Sequence, residues 1–113
     1  MKIIKCQGTG NIMAVLTEKE NVDEKIVKAN SVDAAFEKHV PQFERNGDKL
    51  VVSVNHVMED DHYIEWIMVD YGDMQIIKSF NPGDEPKVEV DYKEGLKAYS
   101  YCNKHSLWEN ELK

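Results

Sequence analysis

Two cysteines, no basic cluster and no long apolar run set the first limits on this chain of 113 residues. Cys6 and Cys102 are too few for a disulfide scaffold. A chain of this length buries roughly two thirds of its unfolded surface, so a hydrophobic core suffices and a metal is not needed as a staple. Lys and Arg number 14 against 21 Asp and Glu, a net charge of −7. With no basic run to track phosphates, nucleic acid is excluded as a partner. No stretch approaches the ~18 apolar residues of a membrane span, and the opening Met1-Lys2-Ile3-Ile4-Lys5-Cys6-Gln7 lacks the apolar run of a signal peptide. The expectation is a soluble, cytoplasmic protein whose thiols stay reduced. Hydrophobic residues at 42% and aromatics at 9% are globular values, which excludes extended disorder. There is no internal repeat, and the one boundary falls near Ser31.

Strand patterns dominate what is present. Residues 86–92 alternate Val88, Val90 and Tyr92 against Lys87, Glu89 and Asp91, the period of a half-buried strand. Residues 63–71 place Ile64, Trp66 and Met68 on one face and Ile67 and Val69 on the other, which predicts burial on both sides. Further strands are expected over 50–54, 74–80 and 96–101, separated by turn chemistry at Asn46-Gly47-Asp48, Tyr71-Gly72-Asp73, Asn81-Pro82-Gly83-Asp84 and Glu94-Gly95. Five or more short strands with turns about every ten residues predict an antiparallel sandwich or barrel. Before them, 11–17 reads as a strand and 17–29 leaves helix and strand unresolved. Residues 31–38 carry helix formers behind a candidate Ser31 cap, enough for one or two turns.

The chemistry lies in four histidines and one of the cysteines. Taken singly, each has an ordinary reading: His39, before Val40-Pro41, as a surface loop residue, and His56 and His62 as two ends of an acidic loop. Cys102 and His105 stand at the C-x-x-H spacing, which lets a thiolate and an imidazole from one turn converge on a single ion. As a set they are more specific. Every histidine falls at a strand end or turn, and none belongs to an alternating apolar stripe. If all five side chains meet, four nitrogens and one thiolate exceed the four ligands of a structural zinc site. Such a shell with an open position suits a redox-active iron.

The ordered motifs Glu37-Lys38-His39-Val40-Pro41, His56-Val57-Met58, His62-Tyr63-Ile64-Glu65-Trp66-Ile67 and Tyr101-Cys102-Asn103-Lys104-His105-Ser106-Leu107-Trp108 resemble those of the desulfoferrodoxin and neelaredoxin family, the superoxide reductases. The resemblance covers residues 32–108. It implies an all-β fold, an immunoglobulin-like antiparallel β-sandwich of about seven strands with a small N-terminal β segment. It also implies one mononuclear non-haem iron per chain, with His39, His56, His62 and His105 as equatorial ligands and Cys102 as the axial thiolate. Glu37 would be the carboxylate that takes the sixth position in the resting ferric form, and Lys38 the cation beside it. The implied reaction is one-electron reduction of superoxide to hydrogen peroxide, detoxifying superoxide in an anaerobe or microaerophile. The implied partners are a small electron donor of the rubredoxin type and a second copy of the chain, in a homodimer.

The motifs depart from the family in three places. Val57 stands where proline is usual. Ser106 stands where glycine commonly follows the last histidine, which requires its backbone to avoid a conformation only glycine tolerates. At the start, Ile4-Lys5-Cys6-Gln7-Gly8-Thr9-Gly10-Asn11-Ile12 resembles the opening of the family's N-terminal domain, whose small iron centre needs a C-x-x-C and a later cysteine pair. Thr9 replaces the second cysteine and no pair follows, so residues 1–31 are expected to be a vestigial desulforedoxin-like segment without its iron. Residues 32–113 are then the catalytic domain, and Cys6 an ordinary thiol. Two other readings of the shell are a non-catalytic iron-binding redox sensor or electron-transfer module, and a zinc-filled sandwich without chemistry. The Glu37-Lys38 pair beside an open position argues against an electron carrier.

Overall fold

A computed structural model describes the whole chain, Met1–Lys113. Nine strands form three antiparallel sheets, joined by two short 3-10 turns and no α-helix. Strands β3 (Gln42–Asn46), β4 (Lys49–Ser53) and β7 (Lys87–Asp91) form one sheet in the order β3-β4-β7. Strands β5 (Ile64–Asp70), β6 (Gln75–Ser79), β8 (Lys97–Cys102) and β9 (Ser106–Glu111) form the other, in the order β6-β5-β8-β9. These seven strands are the expected antiparallel β-sandwich. The N-terminal β segment is a separate two-stranded hairpin, β1 (Lys2–Lys5) with β2 (Ile12–Val15).

The core between the two sheets holds Leu50 and Val52 from β4, Ile64, Ile67 and Val69 from β5, Val90 from β7, and Ala98 and Cys102 from β8. Each full burial of a Val, Leu or Ile side chain there is worth about 1.5–3 kcal/mol. Strand β5 is covered on both faces, as its pattern predicts, but Ile64 lies with Ile67 and Val69 rather than with Trp66 and Met68. The reason is a register shift between Ile64 and Trp66 in the pairing with β8, which inserts Glu65 as an extra residue and reverses the alternation beyond it. That bulge also re-aims the chain entering β5, where His62 lies.

The outer face of the four-stranded sheet is covered by the N-terminal hairpin. Ile3 packs against Met68, Tyr99 and Leu107, with Ile12, Ala14 and Val27 around them. Within residues 1–31 Ile3 is the buried side chain, at 2% exposure, and its partners belong to the sandwich. Asn30 fastens the following linker to β9: its N–H donates to the Leu107 carbonyl at 2.9 Å, and its side chain bonds both backbone groups of Glu109.

Local expectations met two exceptions before β3. Residues 17–29, where helix and strand patterns competed, form neither: they hold a 3-10 turn, Asp23–Lys25, and an isolated antiparallel bridge of Ile26 to Ile4, and Ser31 caps no helix, its hydroxyl donating back to the Lys28 carbonyl. Helical structure there is limited to the 3-10 turn Phe36–Lys38, which delivers the chain to His39.

Candidate metal centre

One end of the sandwich gathers five side chains from five places in the chain. His39 follows the 3-10 turn Phe36–Lys38, and His56 follows β4. His62 precedes β5, Cys102 ends β8, and His105 occupies the turn between β8 and β9. One donor atom from each lies within 4.8 Å of all the others. Opposed ligands on ~2.1 Å metal–nitrogen bonds would be separated by about 4.2 Å, so the cluster has the dimensions of a single-ion shell. The imidazoles close a four-membered ring. Centroid separations are 4.7 Å for His39–His56, 4.6 Å for His56–His62, 5.1 Å for His62–His105 and 4.9 Å for His105–His39, with neighbouring planes 70° to 88° apart.

Backbone carbonyls fix which nitrogen faces inward. His39 Nδ1 bonds the Ala35 carbonyl at 2.7 Å, and His56 Nδ1 bonds the Val57 carbonyl. A carbonyl only accepts, so each Nδ1 carries the proton and each Nε2 presents a lone pair to the cluster. His39 Nε2 stands 3.0 Å from His105 Nδ1, while Cys102 Sγ stands 3.5 Å from His56 Nε2 and 3.8 Å from His105 Nδ1. His62 Nε2 is buried without a hydrogen-bond partner. The thiol and one imidazole proton can serve at most two of the inward lone pairs, and His62 remains orphaned at about 1–3 kcal/mol. A cation among the five donors satisfies all of them at once, so the residues present fit a metal ion.

The surroundings favour the neutral forms of His39, His56 and Cys102. Burial is the largest effect lowering the His39 and His56 pKa values, and the neighbouring histidines push the same way. The Ala35 and Val57 carbonyls oppose them. Burial pushes the Cys102 thiol up, against the pull of backbone N–H groups of Lys104 and His105. Those two N–H groups point at the sulfur from the C-x-x-H turn itself, and they would stabilise a thiolate.

The outer layer includes residues whose roles the pattern of histidines does not reveal. Trp108 stacks on His39, and Ser100, fully buried, donates its hydroxyl to the His39 carbonyl at 2.6 Å. Asn103 bonds the backbone on both sides of His62. Asn103 lies inside the Cys102–His105 spacing and Trp108 closes the same motif, so proximity in sequence was their one available signal.

Glu37 and Lys38 sit on the 3-10 turn beside His39, both exposed. The carboxylate of Glu37 is near enough for its charge to raise the His39 pKa slightly. Val57 is half exposed, and its side chain stays outside the cluster. Ser106 has a φ of +67°, in the left-handed region that favours glycine but that other residues can enter at a cost. The β8–β9 turn must bring His105 back toward Cys102 while pairing Ser106 with Cys102, and that geometry overrides the preference of the side chain. In the N-terminal hairpin, the Thr9 hydroxyl and the N–H groups of Thr9 and Gly8 bond the Cys6 sulfur and lower its pKa.

Comparison with known proteins agrees with this geometry. The family model described as desulfoferrodoxin matches residues 31–111. A desulfoferrodoxin homolog from Archaeoglobus fulgidus is 38% identical, over 97% of this chain and 96% of its own length. A superoxide reductase from Pyrococcus horikoshii is 33% identical, over 73% of this chain and 91% of its own. Among solved structures, the superoxide reductase from Treponema pallidum superposes with a TM-score of 0.73 at 25% identity, covering 97% of this chain and 99% of that one. Motifs, fold and relatives agree, and the chain belongs to the desulfoferrodoxin family.

Proposed function

We propose that this chain is a superoxide reductase, which adds one electron and two protons to superoxide to give hydrogen peroxide and no dioxygen. The observation that carries the reading is the closed ring of four imidazoles with the Cys102 sulfur against it. A mononuclear non-haem iron bound there would supply the electron and an open coordination position for the substrate.

The chain's own groups account for the rest. His39, His56 and His62 would hold the ion through Nε2 and His105 through Nδ1. All four are neutral donors, so they leave the centre cationic within a chain of net charge −7. Superoxide is an anion and must be drawn in against that overall field. The exposed ammonium of Lys38, one residue before His39, adds local attraction and speeds encounter. As a ligand, Cys102 would supply a buried thiolate that donates electron density, the lever that thiolate-ligated haem enzymes use. Glu37, next to Lys38 and exposed on the same turn, would be the carboxylate available to the ion once product has left.

Residues 1–31 are read as a degenerate desulforedoxin-like segment, since Cys6 is its single thiol, and the reading predicts one iron per chain. It places the protein in the reducing cytoplasm, with a small rubredoxin-type electron donor and a homodimeric assembly. The test is purification without oxygen, metal counting with absorption edges for iron and zinc, and a superoxide pulse on the ferrous protein. One iron per chain, a thiolate-to-iron charge-transfer band on oxidation, and near diffusion-limited oxidation with peroxide formed are expected. Zinc in the site, or ferrous protein inert to superoxide, overturns the reading.

A further inference from the structure

We propose that Asn103 is a positioning residue that sets His62 against the Cys102–His105 turn. The proposal rests on the metal-site reading above and assigns a task to a side chain that would touch neither metal nor substrate.

His39 and His56 are oriented through their own rings, by carbonyl bonds at Nδ1. His62 differs, because its Nε2 is orphaned in the cluster and its place is set through the backbone around it. That backbone first closes on itself: His62 N–H donates to the Glu59 carbonyl at 3.2 Å, and Glu59 N–H donates to the His62 carbonyl at 2.9 Å. The small loop must then be docked onto the strand end that carries Cys102. Asn103 makes that connection three times. Its Oδ1 accepts from Tyr63 N–H at 3.0 Å, its Nδ2 donates to the Asp61 carbonyl at 3.0 Å, and its own N–H donates to the Tyr63 carbonyl at 3.2 Å. The residues immediately before and after His62 therefore hang from one side chain, 40 and 42 positions away in sequence.

The chemistry of the two targets selects an amide. Tyr63 N–H can only donate and the Asp61 carbonyl can only accept, so the bridging side chain must offer an acceptor and a donor on one short planar group. Aspartate has the shape but lacks the donor. It would also place a carboxylate against a carbonyl, beside Glu59, Asp60 and Asp61. The Glu65 bulge makes the tie necessary, since regular β5–β8 pairing ends at Ile64 and Cys102 and the segment before it has left the ladder.

Outer-layer partners of metal ligands typically change affinity about 10–100-fold when lost. The test uses the full chain, freed of metal and titrated with Co2+ against a chelator, with the Co2+ absorption spectrum recorded. Asn103→Ala is expected to weaken Co2+ binding about tenfold or more and to shift its spectrum, while the far-ultraviolet circular dichroism of the metal-free protein is retained. Asn103→Asp, which keeps the size and the acceptor, is expected to lose part of the affinity and carries the comparison should the alanine variant fail to fold. The deciding measurement is made in two backgrounds. With His62→Ala the Asn103 substitution is expected to change affinity by less than about twofold, whereas with His39→Ala its full effect persists. Unchanged affinity in the single variants, or equal loss in both backgrounds, overturns the role of Asn103. Failure of the functional reading is a separate result: wild-type protein that binds Co2+ with the Asn103 dependence intact yet, loaded with iron, is inert to superoxide.

Discussion

The Trp108 indole lies over the His39 imidazole, with centroids 4.9 Å apart and planes 28° from parallel. Its Nε1–H donates to the His105 carbonyl at 2.9 Å, so one buried ring braces two members of the cluster that lie 66 positions apart in the chain. Trp108→Phe keeps an aromatic face but leaves that carbonyl unpaired, for an expected loss of about 1–3 kcal/mol. Trp108→Ala also opens a cavity and is expected to cost about 3–5 kcal/mol. Urea unfolding of the metal-free variants measures both, and equal stability of Trp108→Phe and wild type would show that water replaces the indole N–H.

Ser106 holds a φ of +67° that costs an L-residue about 1–2 kcal/mol. Glycine removes that cost but brings back about 0.4–1 kcal/mol of unfolded-chain entropy. Ser106→Gly should therefore raise stability by about 0 to 1.6 kcal/mol and leave metal affinity unchanged. Thermal melts decide, and a lower midpoint would mean that the serine side chain makes a compensating contribution.

Lys38 and Cys102 separate encounter from chemistry. Lys38→Ala should slow the second-order reaction with superoxide and flatten its salt dependence while leaving iron bound. Cys102→Ser should abolish both the charge-transfer band and the activity. Stopped-flow or pulse-radiolysis kinetics read the first and absorption spectra the second; retention of band and activity would remove the thiolate from the mechanism.

Acidity acts through His39 and His56, whose pKa values burial holds below the ordinary value near 6.5. Between the folded and unfolded values the unfolded chain binds more protons, so stability is present above pH about 6.5 and lost as pH falls below it. The urea midpoint of the metal-free protein should be flat above neutrality and decline toward pH 5.5. A bound metal shifts the decline to lower pH, because protons and metal compete for the same lone pairs. A midpoint that rises on acidification from pH 7 would contradict the assignment of neutral imidazoles.

Five of the seven sandwich strands were legible because alternation or apolar runs mark them. The other two were not, for identifiable reasons. Strand β3 reads Gln-Phe-Glu-Arg-Asn with one partly buried apolar residue, and it exists because its edge position needs only the ladder offered by β4. Strand β9 places Leu107 and Trp108 consecutively, one under the N-terminal hairpin and the other against His39, so both faces are buried without alternation. The opposite error came at Ile64, where alternation assigned the wrong face because a single inserted residue at Glu65 leaves no mark in hydrophobic pattern.

The donors of the candidate metal centre were legible as residue types, since imidazole and thiolate are metal-binding groups and Cys102 and His105 share one turn. The order of motifs named the family for the same reason: local spacing is a property of the chain. Which nitrogen His39 and His56 present was decided in three dimensions, by carbonyls at Ala35 and Val57. So was the meeting of His39 with His105, 66 positions apart, and the bracing of His62 by Asn103. These relationships depend on where separate strands end in space, and strand ends are set by packing between sheets rather than by the residues at the ends themselves.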